Sequence, residues 1–423
     1  MNDIAEDSLT ERMLKMHLTG KETSCISNSR EEIIQPDTCG TLINAGAYSP
    51  KWFRLRHKAF WLLEGVPLAS LEAALAAISM SGNERSHANL VDTVKKYGEG
   101  NWCYEFSRQG MELQKKARSN MADPAVATSC FQAAMGCYSI ASYPHFRGDK
   151  NAERARLQIV QIFRQYLELS KIKYRELSVP SVSSPGENIK AWLLVPESED
   201  PVPMVLCAGS YESICCDYVP LYKLFFEQHK CALLLMDNPR IGQNQSFALD
   251  FDCSRLHREV LDFIADNESC IDNTRIGALG FRFGGNIVTR LSYMRSRLIR
   301  ASICVGPAIN KCFVDKNVLD QLPEVMKTNL ANRIDRDVAD WDNLKPFFSQ
   351  FSLKLQGLLG SKTSVPIATI GFLNDPICDE SDLDLLARSS EKGKVFIYKK
   401  DNLVSSMDLF YTTMKEWFDK YLW

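Results

Sequence analysis

The sequence predicts an α/β protein with a helical N-terminal region followed by a mostly parallel sheet covered by helices. Three observations carry that prediction. Apolar residues recur at helical spacing from Trp52 to about Ser170, the period falls toward two at Tyr174, and from Met204 onward short apolar runs alternate with helical ones.

Taken in order, residues 1–48 mix polar residues with Pro36, Gly40 and Gly46 and show little periodicity, so they read as a polar arm. Residues 49–172 read as a helical domain, with apolar stripes such as Leu71, Ala74, Leu75 and Ile78, then Ile159, Ile162, Phe163 and Tyr166. Breaks at Gly65-Val66-Pro67, Gly98-Glu99-Gly100 and Tyr143-Pro144-His145 divide it into four to six helices. Trp52, Phe60, Trp61, Trp102, Phe106 and Phe131 are its expected core. Residues 173–423 form the second domain. It opens on a hairpin, 174–179 and 189–195, around the turn Ser183-Ser184-Pro185-Gly186. Strands follow at 204–208, 232–237, 276–280, 301–305, 367–371 and 395–398, with helices at 218–228, 255–267, 285–296, 381–389 and 406–422. The stretch of about 311–363 is too long for a plain crossover and reads as a helical cap over the site.

Composition narrows the function. With 50 basic against 52 acidic residues, no global field recruits nucleic acid or an anionic membrane. The N-terminus carries Asp3, Glu6, Asp7 and Glu11 and lacks a signal-peptide apolar core, and the apolar stretch 60–78 is interrupted by Glu64, Pro67 and Glu72. A cytoplasmic protein acting on a small ligand is expected. The 14 cysteines show no zinc spacing and read as reduced, buried thiols, so neither a metal nor a cofactor is expected.

The chemistry concentrates in the run Arg275 to Asn286, an apolar strand feeding the turn Gly280-Phe281-Arg282-Phe283-Gly284 and then a helix. This is the nucleophile elbow of an α/β-hydrolase-type domain with arginine where the serine would stand. Upstream, Gly209 and Ser210 end the first parallel strand where one oxyanion amide is gathered, the other coming from Phe283. Asp375 ends the strand where the triad acid sits, but the last histidine, His257, precedes the elbow, so a Ser-His-Asp triad in this chain order is impossible. Arg282 cannot attack, because its guanidinium stays protonated and offers no lone pair. Two roles remain open for it: an internal ion pair with Asp375, or a fork for the carboxylate or phosphate of a ligand. Ser210, Cys207, Ser213 and the pair Cys215-Cys216 are the other nucleophiles near the sheet edge, and Asp237 and His145 are accessory candidates for acid–base work.

The runs Gly100-Asn101-Trp102-x-Tyr104-Glu105, Tyr143-Pro144-His145-x-x-Gly148-Asp149, the Arg282 elbow, Leu353-Lys354-x-Gln356-Gly357-Leu358-Leu359-Gly360 and Asn374-Asp375-Pro376 resemble the bacterial fermentation/respiration switch protein family (FrsA). The resemblance spans about residue 50 to the C-terminus. It implies a carboxylesterase of the α/β-hydrolase fold with an N-terminal helical domain, Arg282 and Asp375 as site positions, and association with the glucose-specific phosphotransferase component IIA. Two functions are therefore expected: hydrolysis of carboxylic esters in a cleft that takes a small acyl or carboxylate compound, or a catalytically silent regulatory protein that docks the IIA component and a small anion.

Overall fold

The structure is a computed structural model describing residues 52–55, 57–373, 375, 377–398 and 403–423. The polar arm expected over 1–48 lies outside the described residues, as do Asn374 and Pro376.

Helices lead the described chain: α1 (Lys58–Leu63), α2 (Leu68–Met80), α3 (Trp102–Ser119), α4 (Pro124–Ser142) and α5 (Lys150–Leu169). Their starts follow from capping chemistry. Asn101 accepts from the Tyr104 amide, Asp123 from those of Ala125 and Val126 with Pro124 in the first turn, and Asp149 from those of Asn151 and Ala152. Trp52, Trp61, Trp102, Phe106 and Phe131 are buried as expected, whereas Phe60 is 51% exposed. The reason is positional: α1 is a single short helix in which neighbours face different directions, and Trp61 turns onto Trp102 and Phe106 while Phe60 stays at its outer edge.

Among the described residues eight strands form one sheet: β1 (Lys173–Pro180), β2 (Asn188–Val195), β3 (Val202–Ala208), β4 (Ala232–Met236), β5 (Ile271–Phe281), β6 (Ile299–Val305), β7 (Ile367–Phe372) and β8 (Lys394–Tyr398). Their order is β1-β2-β4-β3-β5-β6-β7-β8, antiparallel across β1-β2-β4 and parallel from β4 to β8. Every residue of β3 and β4 is buried, the mark of strands covered on both faces. Helices α6 (Arg255–Asn267), α7 (Phe283–Met294), α12 (Glu380–Arg388) and α13 (Leu403–Tyr421) connect or flank the strands. Between β6 and β7 stand the short helices α8 (Lys311–Val314), α9 (Lys316–Gln321), α10 (Glu324–Arg333) and α11 (Trp341–Phe348).

One expected helix differs. Over 215–226 the chain forms a 3-10 turn, one α-turn and a π-turn in place of a regular helix from 218 to 228. Pro220 stands in the first turn, where a helix leaves its amides unpaired, and the departure comes after it: the Glu227 amide reaches back five residues to the Tyr222 carbonyl. Strand β5 also begins earlier than the expected Ile276, because its first residues pair with Val202 before a register shift.

Since β4 and β5 flank β3 on opposite sides, the chain reverses direction of growth at the carboxyl end of β3, and a crevice opens there. The helical layer closes this crevice from above. Ser139 of α4 donates to Asp217 at 2.7 Å, and the Arg333 guanidinium of α10 donates to the carbonyls of Pro144, His145 and Tyr211.

Candidate active site

The elbow is built as the sequence predicts. Arg282 follows β5 at φ 55°, ψ −115°, a strained conformation for a residue with a side chain, and α7 begins immediately after it. Both glycines are required sterically: a Cβ on Gly280 would meet the Gly284 carbonyl at 2.4 Å, and one on Gly284 would meet the Ala208 carbonyl oxygen at 1.9 Å. Gly306 plays a related part after β6, because a Cβ there would sit 2.6 Å from Arg282 Nη1.

Arg282 and Asp375 are brought together. Arg282 Nη1 donates to Asp375 Oδ2 at 2.6 Å, while Asp375 Oδ1 accepts the amides of Ile377 (3.0 Å) and Cys378 (3.1 Å). Burial by itself would raise the Asp375 carboxyl, but the guanidinium and the two amides outweigh it and hold the group below its ordinary range. Burial likewise opposes the charge on Arg282, and Asp375 more than compensates, so the guanidinium stays protonated. The pair is unequal in exposure: the Asp375 side chain is fully buried and that of Arg282 keeps 36% of its surface. Among the described residues only Nη1 of that guanidinium has partners, Asp375 and, at 3.5 Å, the Gly306 carbonyl; Nε and Nη2 have none.

Arg282 lines a cavity of ≈ 560 Å³ whose walls are mainly apolar, including Phe281, Phe283, Phe313, Phe410 and Ile370. The mouth carries Phe60, Leu63 and Leu224, all exposed. The volume lies in the range of small-molecule pockets.

The remaining predicted residues divide. Phe283 opens α7, so its amide belongs to the helix's unpaired first turn beside Arg282, and its ring packs on Tyr211 at 4.0 Å. Gly209 lies under Tyr218 and gives its carbonyl to Asn238 at 2.8 Å. The Ser210 amide does not stand open as an oxyanion donor: it is directed at Ser213 Oγ (3.1 Å) and the Tyr218 hydroxyl (3.3 Å). Asp237 stands apart from the cavity wall and pins two loops, its oxygens taking the amides of Cys215 (2.7 Å) and Gln243 (2.8 Å). His145 does line the cavity, held by Ser142.

The other nucleophile candidates are unactivated. Cys207, Cys215 and Cys216 are buried, and their thiols lie above the ordinary range: burial raises Cys207, hydrogen bonding within the pair and burial raise Cys215, and burial raises Cys216 against the stabilising bond from Cys215. Ser210 and Ser213 hydroxyls bond each other at 3.2 Å, and Ser213 bonds Tyr218 at 2.7 Å, with no imidazole in either network among the described residues.

Sequence reasoning passed over a second polar wall. Glu64, at the end of α1, and Asp217 both line the cavity, with Asp217 accepting from Ser139 and from the Ile214 amide. Burial, then the charge of Asp217, holds the Glu64 carboxyl well above its ordinary range, and burial pushes Asp217 up to about 7. These residues are 153 positions apart in the chain, at 64 and 217, and no local pattern joins them. His57 (to the Tyr143 hydroxyl, 3.0 Å) and Asn329 complete that side.

Comparison with known proteins agrees with this architecture. The model of the "FrsA-like: Esterase FrsA-like" family matches residues 4–423. The proteins called "Esterase FrsA" from Escherichia coli O1:K1 / APEC and from Escherichia coli strain K12 / DH10B are each 31% identical over 421 residues, 99% of this chain and 100% of theirs. Among solved structures, the 2,6-dihydroxy-pseudo-oxynicotine hydrolase superposes with a TM-score of 0.65 at 18% identity, covering 86% of this chain and 95% of that one. Wild-type AbyA5 superposes at 0.63 and 21% identity, covering 84% and 90%. With its hydrolase sheet order, its arginine-bearing elbow and a family match over nearly its whole length, the chain belongs to the FrsA-like esterase family.

Proposed function

We propose that this chain binds a small, largely apolar acyl compound with its carbonyl or carboxylate oxygen on Arg282, and hydrolyses carboxylic esters there by direct attack of water, without an acyl-enzyme. The observation carrying this reading is the half-used guanidinium: Nη1 is committed to Asp375, the Nε/Nη2 edge has no partner among the described residues, and Arg282 lines the cavity. That edge is a planar pair of donors, suited to an oxygen that gains charge in the transition state, and the first-turn Phe283 amide adds a third donor. The family's name supports the ester class. Since among the described residues Ser210 and Ser213 bond no imidazole, and Ser142, the serine beside His145, gives its hydroxyl proton to the Ser139 carbonyl, hydrolysis is slow, relying on positioning and oxyanion stabilisation, which in serine hydrolases stripped of triad members leave about 10³- to 10⁴-fold over water.

The test is turnover of p-nitrophenyl esters by the purified full chain. We expect linear kinetics without a burst, no inhibition by fluorophosphonates, and at least about tenfold loss of kcat/KM in Arg282→Met, corresponding to one lost charged hydrogen bond. A stoichiometric phosphonyl adduct, or equal rates in wild type and Arg282→Met, overturns the reading.

A second reading has its own observation. Both oxygens of Asp375 are taken, one by Arg282 and one by two amides, which leaves that carboxylate little capacity to activate water. This favours a cytoplasmic, catalytically silent regulatory protein that binds a small anion and docks the phosphotransferase IIA component, the partner implied by the family resemblance. Titration with the phosphorylated and unphosphorylated IIA protein decides it; binding to neither form removes this reading.

A further inference from the structure

The cavity wall carries further polar groups, supplied by the helical layer and α10. His145 is 2% exposed and lines the cavity. Its tautomer follows from its neighbour. Ser142 Oγ donates to the Ser139 carbonyl at 3.0 Å, so its oxygen accepts from His145 Nδ1–H at 2.9 Å, and His145 Nε2 is left with a lone pair. Among the described residues nothing pairs with that Nε2.

Asn329 is also 2% exposed and lines the same cavity. Its orientation is determined, because Nδ2 donates at 2.9 Å to the Tyr211 carbonyl, which can only accept. Its Oδ1 is a buried acceptor without a partner among the described residues. The two residues share one hub: the Arg333 guanidinium holds the His145 carbonyl at 2.9 Å and the Tyr211 carbonyl at 2.9 Å, the latter being the oxygen that Asn329 bonds. Buried acceptors are costly to leave unmade, so a ligand that supplies a donor is selected there over one that does not.

We propose that His145 Nε2 and Asn329 Oδ1 form an acceptor pair that binds a neutral hydrogen-bond donor, a hydroxyl or amide N–H, on the same acyl compound whose oxygen sits on Arg282. This rests on the reading of Arg282 given above and adds a substrate class to it: hydroxylated or amidated acyl compounds in preference to plain alkyl ones. An ammonium group is disfavoured, because Arg333 at the hub, and Arg156 on the adjoining Phe146 carbonyl, bring positive charge to this part of the wall.

The experiment is calorimetric titration of the full chain with straight-chain alkanoates of increasing length, their ω-hydroxy and ω-amino counterparts, and neutral 1-alkanols. At the length that spans the cavity, the hydroxy compound should bind about fivefold or more tighter than the plain alkanoate, and the amino compound no tighter than it. In His145→Phe and Asn329→Leu the hydroxyl preference should vanish while plain alkanoate affinity stays. Equal binding of hydroxy and plain alkanoates at every length in the wild type overturns the acceptor pair and leaves Arg282 untouched. Alkanoates failing while 1-alkanols bind, with loss in His145→Phe and none in Arg282→Met, overturns the Arg282 reading and upholds the pair. No response to any hydroxyl compound sinks the pair.

Discussion

At the elbow, Asp375 lies fully buried with its charge intact, whereas on the wall shared with the helical layer Asp217 is raised to about 7 beside a raised Glu64. Both aspartates suffer desolvation, and both accept a backbone amide. The difference is the partner. Asp375 has a guanidinium at 2.6 Å, and Asp217 has the neutral Ser139 hydroxyl at 2.7 Å and another carboxyl nearby. Burial sets the penalty; the neighbouring charge decides whether the group ionises anyway. One aspartate is therefore held ionised by its counter-charge, and the other, without one, is pushed up to about 7.

The largest effect that can break this comparison is removal of the cation. Arg282→Ala leaves Asp375 buried without a counter-charge and should cost about 3 kcal/mol, the low end for a buried pair because the guanidinium is partly exposed. Chemical denaturation should show this loss, and the double variant Arg282→Ala, Asp375→Ala should recover much of it. If both single variants are as stable as wild type, the pair does not hold the elbow.

A titratable group with no partner at all sharpens the contrast. His257 on α6 is fully buried, neither ring nitrogen has a hydrogen bond, and burial lowers its pKa to about 3. A folded-state pKa below the unfolded one of about 6.5 means that the unfolded chain takes the proton first, so stability is present above about 6.5 and is lost as pH falls toward 3. His257→Leu should therefore gain about 2 kcal/mol over wild type at pH near 5 and less at pH 8. An equal difference at both pH values would show that His257 is not held neutral.

A pH slope, and not a single-point difference, tests Asp217. Asp217 has a folded pKa of about 7 against an unfolded value of about 3.9, so its contribution is fully present below 3.9 and is lost as pH rises to 7. Asp217→Asn should flatten stability against pH in that window, removing a slope of at most about 1.4 kcal/mol per pH unit. An unchanged slope would place the carboxyl's pKa near its ordinary value.

Much of the frame was legible before any coordinates. Strand positions followed from short apolar runs between turn residues, and the elbow from two glycines around one residue, since both signals are local in the chain. Phe60 misled because a short helix can turn one aromatic inward and its neighbour outward. The 215–226 stretch misled because apolar spacing does not report which carbonyl each amide reaches, and here the bonds pass from 3-10 through α to π.

By itself the sequence excluded a Ser-His-Asp triad in the chain order of this fold: the elbow holds Arg282, and the last histidine, His257, precedes it. It also left Arg282 with two partners to choose from, Asp375 or a ligand. Only the tertiary structure showed that Arg282 takes Asp375 through Nη1 and lines a cavity, that Asp237 is committed to loop amides, and that Glu64, Asp217, His145 and Asn329 meet around the same space. Covalent order dictates which side chains exist and what local turns they can make. Proximity between residues tens to hundreds of positions apart, and with it every counter-charge and every unmet hydrogen bond, arises only when the helical layer folds over the carboxyl edge of the sheet.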